Sequence, residues 1–301
     1  MFLRKFWRLF KLRCAVIGGK GGTGKTFIAV NLAYIVSSKF NCKVLLVDSD
    51  VENPSVPSAL GVGELKIIGQ VKRFSPKIIF DKCDLCGVCA ENCPPHALIL
   101  IPNKKLMFLE TLCEGCAMCF YICPRKAIVE DESVVGWIKF GVFSSNLDLL
   151  VGELRPGERG YSEIIEELMG RLDSYNTSYD SIIVDSPPGT GKPIKLIVES
   201  VEKLFVVTEP TRLGLHDLKK LYSLIGSLRD FTVILNKAGL KGGVESEIRD
   251  YVSSIGVEMV DVPFDLSINY AYASFKPYVE LYPESSVSNA LVNIARRLIN
   301  S

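Results

Sequence analysis

The stretch Gly18-Gly19-Lys20-Gly21-Gly22-Thr23-Gly24-Lys25-Thr26 constrains this chain more than any other. The apolar run Cys14-Ala15-Val16-Ile17 precedes it and reads as a short buried strand, and Phe27 to Val36 follows and reads as a buried helix. A glycine-rich turn between strand and helix is a phosphate cradle: backbone N–H groups converge on an anion, and the helix N-terminus adds partial positive charge. Gly19 to Thr26 fit G-x-x-x-x-G-K-[ST]. Gly19, Gly21, Gly22, Thr23 and Gly24 would wrap the phosphates, Lys25 would reach the β- and γ-phosphates, and the Thr26 hydroxyl would sit on Mg²⁺. Gly19, Gly21 and Gly24 also fit the dinucleotide pattern G-x-G-x-x-G, with Asp48 where a ribose-binding acid could sit. Lys25 and Thr26 favour the triphosphate, because a dinucleotide needs neither that charge nor that hydroxyl. Asp185-Ser186-Pro187-Pro188-Gly189 follows the strand-like Ser181 to Val184 and supplies an acid on the Mg²⁺ side.

Ten cysteines are present, and eight of them fall in two runs. Cys83, Cys86, Cys89 and Cys93-Pro94 form C-x₂-C-x₂-C-x₃-C-P, and Cys113, Cys116, Cys119 and Cys123-Pro124 repeat it 30 residues later. Ala97-Leu98-Ile99 matches Ala127-Ile128-Val129, which marks an internal duplication. Three close thiolates can cap three irons of a cubane, and the fourth Cys reaches the other cluster. The expected ligand sets are Cys83, Cys86, Cys89 with Cys123, and Cys113, Cys116, Cys119 with Cys93. Two four-cysteine zinc sites are the alternative. Residues 75 to 132 resemble a bacterial ferredoxin with two [4Fe–4S] clusters. Cys14, Cys42, His96 and His216 receive no role.

The remaining pattern is α/β. Strands are expected at 43–47, 134–143, 147–154, 181–184, 204–207, 232–235 and 258–260. Helices are expected at 162–173, 192–200, 214–229, 244–255 and 286–299. After Asn53-Pro54 the chain reads as irregular up to the cysteine runs. Strands alternating with helices imply a doubly wound, mostly parallel sheet. The expected organisation is a basic segment 1–13, an ATPase domain of 14–74 and 133–301, and an inserted cluster domain 75–132.

Net charge is +1, which argues against a general nucleic-acid role. Residues 1 to 47 nonetheless carry nine Lys or Arg and no Asp or Glu. In residues 1–13, Phe2, Phe6 and Leu9 share one helical face, with Arg4, Lys5, Arg8 and Lys11 opposite. Such a segment can lie on an anionic membrane or pack on protein. No apolar run is long enough to span a bilayer. With thiolates set for metal, the expected location is a reducing cytoplasm, with peripheral membrane contact through residues 1–13 as an option.

Lys20 five residues before Lys25, Asp48-x-Asp50 closing the second strand, Asp185-x-Pro-Pro-Gly189 and Glu209-Pro210-Thr211 together resemble the deviant Walker A ATPases. That group includes MinD, ParA, the nitrogenase iron protein and Mrp-type iron–sulfur carriers. The resemblance implies an ATP-dependent homodimer in which Lys20 reaches the partner's nucleotide. It implies that Asp50 orients the attacking water, Asp185 holds the Mg²⁺ water shell and Asn236 contacts adenine. The ferredoxin-like stretch narrows it to members with an inserted ferredoxin domain. The sequence departs from the carriers in one respect: no Cys occurs after Cys123, so a cluster bridged between ATPase domains has no obvious ligands. The expected activity is ATP hydrolysis gating electron transfer to a protein acceptor. Cluster delivery, or MinD-like positioning with structural clusters, are the alternatives.

Overall fold

The apolar run before the glycine loop becomes β1 (Leu12–Ile17), and in the computed structural model its last four residues are fully buried. The structure describes residues 12–102, 104–159, 161–226 and 230–299. The basic segment falls mostly outside them. Its last two residues, Leu12 and Arg13, open β1, because the Arg13 amide donates to the Glu202 carboxylate at 2.8 Å and its Nε to Asn176 at 3.0 Å.

The elements then run α1 (Lys25–Ser38), β2 (Val44–Asp48), α2 (Val56–Ala59) and β3 (Lys66–Ile78). The cysteine region holds α3 (Val88–Glu91), β4 (Leu98–Ile101), β5 (Lys105–Phe108) and α4 (Met118–Ile122). The chain returns through β6 (Ile128–Ser144) and β7 (Leu147–Leu154) to α5 (Tyr161–Tyr175), β8 (Ser181–Asp185), α6 (Lys192–Glu199) and β9 (Lys203–Thr208). It closes with α7 (Arg212–Ile225), β10 (Phe231–Ala238), α8 (Glu245–Ser254), β11 (Glu258–Pro263), α9 (Ser267–Ala273), α10 (Tyr278–Leu281) and α11 (Ser286–Ile299).

Nine strands form one sheet in the order β11-β10-β9-β1-β8-β2-β7-β6-β3. Pairing is parallel from β11 to β7 and antiparallel at β7-β6 and β6-β3. The central parallel strands are apolar over most of their length because helices cover both faces. One core lies under α1 and α11, and the other under α5, α6, α7 and α8. α1 sits deep in the first core and is buried almost all round, which is why its sequence lacks a polar face.

The expected irregular stretch after Pro54 is corrected here. It holds α2 and a 13-residue strand, β3. β3 pairs with β6 from Lys66–Phe140 to Ile78–Ile128, and both strands pass through the boundaries expected at 74/75 and 132/133. A continuous ribbon therefore carries the cysteine region out from the main sheet. Gly69 and Pro76 hide β3 in the sequence, and its register shifts beside Gly69.

Candidate functional site

β1, β2, β8 and β10 are parallel, so the loops leaving their carboxyl ends meet at one edge of the sheet. A cleft of about 520 Å³ opens there. It is lined by Gly21, Gly22, Gly24, Lys25 and Thr26 from the loop, by Asp50, Asn53 and Ser55 after β2, and by Asn236 and Lys237 at β10. Phe264, Asp265, Leu266 and Tyr272 complete it. The size suits a nucleotide.

Gly24 caps α1 with φ 98°, a left-handed conformation that glycine adopts without strain. A Cβ there would also stand 2.2 Å from Asn236 Nδ2, which donates to the Thr23 carbonyl at 2.7 Å. Asn236 thus fastens β10 to the loop, and its Oδ1 is left buried without a partner. Gly19 is packed against Asp217, whose Cβ would be 2.4 Å from an added Cβ.

Thr26 Oγ1 donates to Asp185 Oδ2 at 2.6 Å and lies 3.3 Å from Ser55 Oγ. The other carboxylate oxygen, Asp185 Oδ1, is buried with no partner. A buried orphan oxygen beside a loop threonine fits an Mg²⁺ ion or its water shell. Burial pushes the Asp185 carboxyl up to about 7, while the Thr26 hydrogen bond and Lys25 pull it down. Burial likewise lowers Lys25 from the usual lysine range, against the pull of Asp185 and Asp50. The Lys25 ammonium donates to the Lys20 carbonyl at 3.0 Å. Asp50 borders the cleft, and its carboxyl is raised by burial and lowered by Lys25.

Asp48 is buried and strapped. Its Oδ1 accepts the Asp50 amide at 3.2 Å and its Oδ2 the Val56 amide at 2.9 Å. Both oxygens are spent on shaping the 49–55 loop, so the ribose-binding role that a dinucleotide site would give Asp48 is not available.

Lys20 lies against its own chain. Its Nζ meets Glu209 Oε1 at 2.5 Å, and Lys237 Nζ meets Glu209 Oε2 at 2.6 Å and the Gly22 carbonyl at 2.9 Å. Burial raises the Glu209 carboxyl, but the two lysines outweigh it and hold it below its ordinary range.

The cysteine region repeats at the level of the backbone. Leu85, Gly87 and His96 have positive φ, and so do Gly115, Ala117 and Lys126, each 30 residues on. The 3₁₀ turns Phe80–Lys82 and Glu110–Leu112 correspond, as do α3 and α4. Ile79 N donates to Ala127 O at 2.7 Å, and Leu109 N to Ala97 O at 2.8 Å. Two halves therefore interlock, and each completes the other's site. One cavity is lined by Cys83, Cys86, Cys89 and Cys123, and another by Cys93, Cys113, Cys116 and Cys119. These are the two crossed sets expected from the spacing. Apolar residues close them, including Leu100, Leu106 and Ile128 around the first and Phe74, Leu98 and Phe108 around the second. Burial raises the thiols of Cys89 and Cys113 and pushes Cys119 up to about 11. Among the described residues, no three His, Cys, Asp or Glu side chains converge closely enough to grip a single metal ion. Each set lines a small cavity of about 20 Å³, and four thiols per cavity match the donor number of a [4Fe–4S] cluster.

Residues 14–278 match the CobQ/CobB/MinD/ParA nucleotide-binding domain. The chain belongs to this family. It is an ATP-binding ATPase of MinD/ParA type. Similar proteins include the uncharacterized Methanocaldococcus jannaschii protein MJ0579, at 32% identity over 75% of this chain and 80% of that one. An iron–sulfur cluster carrier protein of Saccharolobus solfataricus is 24% identical over 96% of this chain and 83% of its own. Among solved structures, the Pyrococcus furiosus cell division ATPase MinD superposes with TM-score 0.62 at 19% identity, covering 96% of this chain and 98% of that one. MinD of Pyrococcus horikoshii, solved with Mg-ADP, gives 0.62 at 20% identity, covering 96% of each chain.

For a MinD/ParA-type ATPase, Lys25, Thr26 and Asp185 stand together as the sequence predicted, and Asp50 borders the same cleft. Lys20 stands apart, drawn to Glu209. The residues that sequence reasoning missed are Ser55, Lys237, Phe264, Asp265, Leu266 and Tyr272. Ser55 and Phe264 to Leu266 lie in the stretches after β2 and β11, Lys237 lies within β10 and Tyr272 within α9, and no motif marks them. Among the described residues no helix is long and apolar enough to cross a membrane.

Proposed function

We propose that this ATPase carries two [4Fe–4S] clusters and that its nucleotide state gates electron transfer to a protein acceptor. The observation that supports this most directly is the pair of cavities lined by the crossed cysteine sets. Cys83, Cys86, Cys89 and Cys123 would hold one cluster, and Cys113, Cys116, Cys119 and Cys93 the other, which supply one-electron chemistry when bound. The domain division follows: 14–74 and 133–301 hold nucleotide, and 75–132 holds the clusters.

At the nucleotide, Lys25 neutralises the β- and γ-phosphates, and Thr26 and Asp185 hold Mg²⁺ and its waters. Gly19, Gly21, Gly22, Thr23 and Gly24 present backbone N–H groups to the phosphates. Asp50 orients the attacking water, and Asn236 offers its unpartnered oxygen toward the base. In the dimer, Lys20 leaves Glu209 and reaches the partner's nucleotide. Residues 1–13 give a cytoplasmic protein a peripheral hold on an anionic membrane, lost on their deletion.

The carrier named among the relatives gives a second reading, ATP-driven cluster delivery. Four thiolates from one compact unit disfavour it, since delivery must break every link. Anaerobically purified protein should contain about eight irons and eight sulfides per chain. Stoichiometric zinc would overturn the cluster reading. Lys25→Ala should lower hydrolysis about 10²-fold or more. Nucleotide should shift a cluster potential in the native chain and not in Lys25→Ala. Unchanged potentials, with ATP-dependent loss of iron to an apo-acceptor, would favour delivery.

A further inference from the structure

The two cysteine cavities are alike inside but differ in their connections to the ATPase body. Around the second, a chain of contacts leads back to the nucleotide cleft. Asp50 borders the cleft, and the carbonyl of its neighbour Val51 accepts the Leu154 amide at 2.8 Å. The next residue, Arg155, anchors its own amide on Val135 O at 2.8 Å and extends its guanidinium to Glu110 Oε1 at 3.0 Å. Glu110 begins the 3₁₀ turn whose carbonyl accepts the Cys113 amide at 3.0 Å. Arg155 also pairs with Glu158, whose side chain is 1% exposed.

Glu158 in turn binds Arg73 Nη2 at 2.6 Å, and Arg73 Nη1 donates to the Arg159 carbonyl at 2.7 Å. The aliphatic part of Arg73 lies on Gly115, with Cδ 3.0 Å from where a Cβ would stand. Gly115 N donates to Cys113 Sγ at 3.4 Å. Two arginines therefore share one buried carboxylate on the loop after β7, and each touches the turn that bears Cys113. The corresponding turn of the first half offers an Asp84–Arg125 pair at 2.6 Å, which is exposed and internal to the cysteine region.

We infer that nucleotide state acts on the second cluster, held by Cys93, Cys113, Cys116 and Cys119, and that Arg155 is the positioning residue linking it to the Asp50 loop. This rests on the cluster reading above. Glu158 and Arg73 are buried, Arg155 and Glu110 are partly exposed, and charges that share partners hold discrete arrangements, so a shift of the Asp50–Val51 backbone is passed to Arg155 and Glu158 and moves the charges around Cys113. Among the described residues the first cysteine set has no such connection, and its cluster keeps its surroundings.

The test uses the full chain, purified anaerobically, with redox titrations followed by electron paramagnetic resonance under ADP and under a non-hydrolysable ATP analogue. Cys116→Ser alters the spectrum of the second cluster and so assigns the signals. The expected result is a change of about tenfold or more in the reduced-to-oxidised ratio at fixed potential, about 59 mV, for the second cluster alone. Arg155→Gln and Glu110→Gln should each abolish it while iron content and ATP hydrolysis stay at the native level, and Arg155→Lys should restore part of it. The inference is overturned if two clusters are present and the change falls on the first, or if both glutamine variants respond like the native chain. A chain without iron overturns the cluster reading, and this inference with it.

Discussion

Asp185 shows what burial does to the charge of a carboxylate. Its carboxyl is raised to about 7 chiefly by burial, whereas an unfolded Asp titrates near 3.9. The folded state therefore holds a proton that the unfolded state releases. Stability from this group is complete below about pH 4 and is lost as pH rises through about 7. Nucleotide-free protein should lose thermal stability across that window, and Asp185→Asn should flatten the dependence while removing hydrolysis. A melting temperature with the same pH profile in both proteins would refute the assignment. Mg²⁺ and nucleotide need the charged form, so their binding at pH 6 should release about one proton from this site, fading toward pH 8. Calorimetry in buffers of different ionisation heat reads that number directly. Lys20 presents the opposite case, a partly buried charge held by a carboxylate. Lys20→Ala should bind ATP with near-native affinity and lose hydrolysis about 10²-fold, if its work is done on a partner's nucleotide. Normal turnover by this variant would remove the cross-subunit role.

The elements most legible in the sequence are the ones buried on both faces. Val44 to Val47, Ser181 to Val184 and Leu204 to Val207 are continuous apolar runs because helices cover each side of the parallel sheet. β3 escaped for the converse reason. It is a mostly exposed edge strand with a glycine and a proline, and its partner lies across the whole cysteine region. The grouping of the cysteines around two cavities could be read because cysteine spacing is a local constraint. The Arg155–Glu158–Arg73 cluster could not, because nothing in the spacing of these residues announces which distant side chain each will meet. The loop before α1 offers a test at this level. Gly24→Ala places a Cβ at φ 98° and against Asn236. It should cost roughly 2 kcal/mol from backbone strain alone, measured by denaturant unfolding, and more from the displaced Asn236. Native stability in this variant would mean that the loop relaxes freely and that Asn236 does not fasten it.

At the scale of the whole molecule, the sheet order separates strands that are consecutive in the chain. β1 sits between β9 and β8, and β2 between β8 and β7. A chain emerging from the ribosome therefore exposes two mostly apolar strands whose neighbours are all made after the cysteine region. What brings β7 back beside β2 is the hairpin formed by β3 and β6, with the cysteine halves at its tip. The entropy of closing that long excursion is smaller when the tip is compact than when it is slack. On the cluster reading proposed above, metal bound there would stabilise the folded tip and withdraw slack from the loop. Iron supply during synthesis would then decide the yield of the ATPase sheet itself. Chains made in iron-starved cells should accumulate as aggregate rather than as soluble, nucleotide-competent apoprotein, and restoring iron during translation should rescue what adding it afterwards does not.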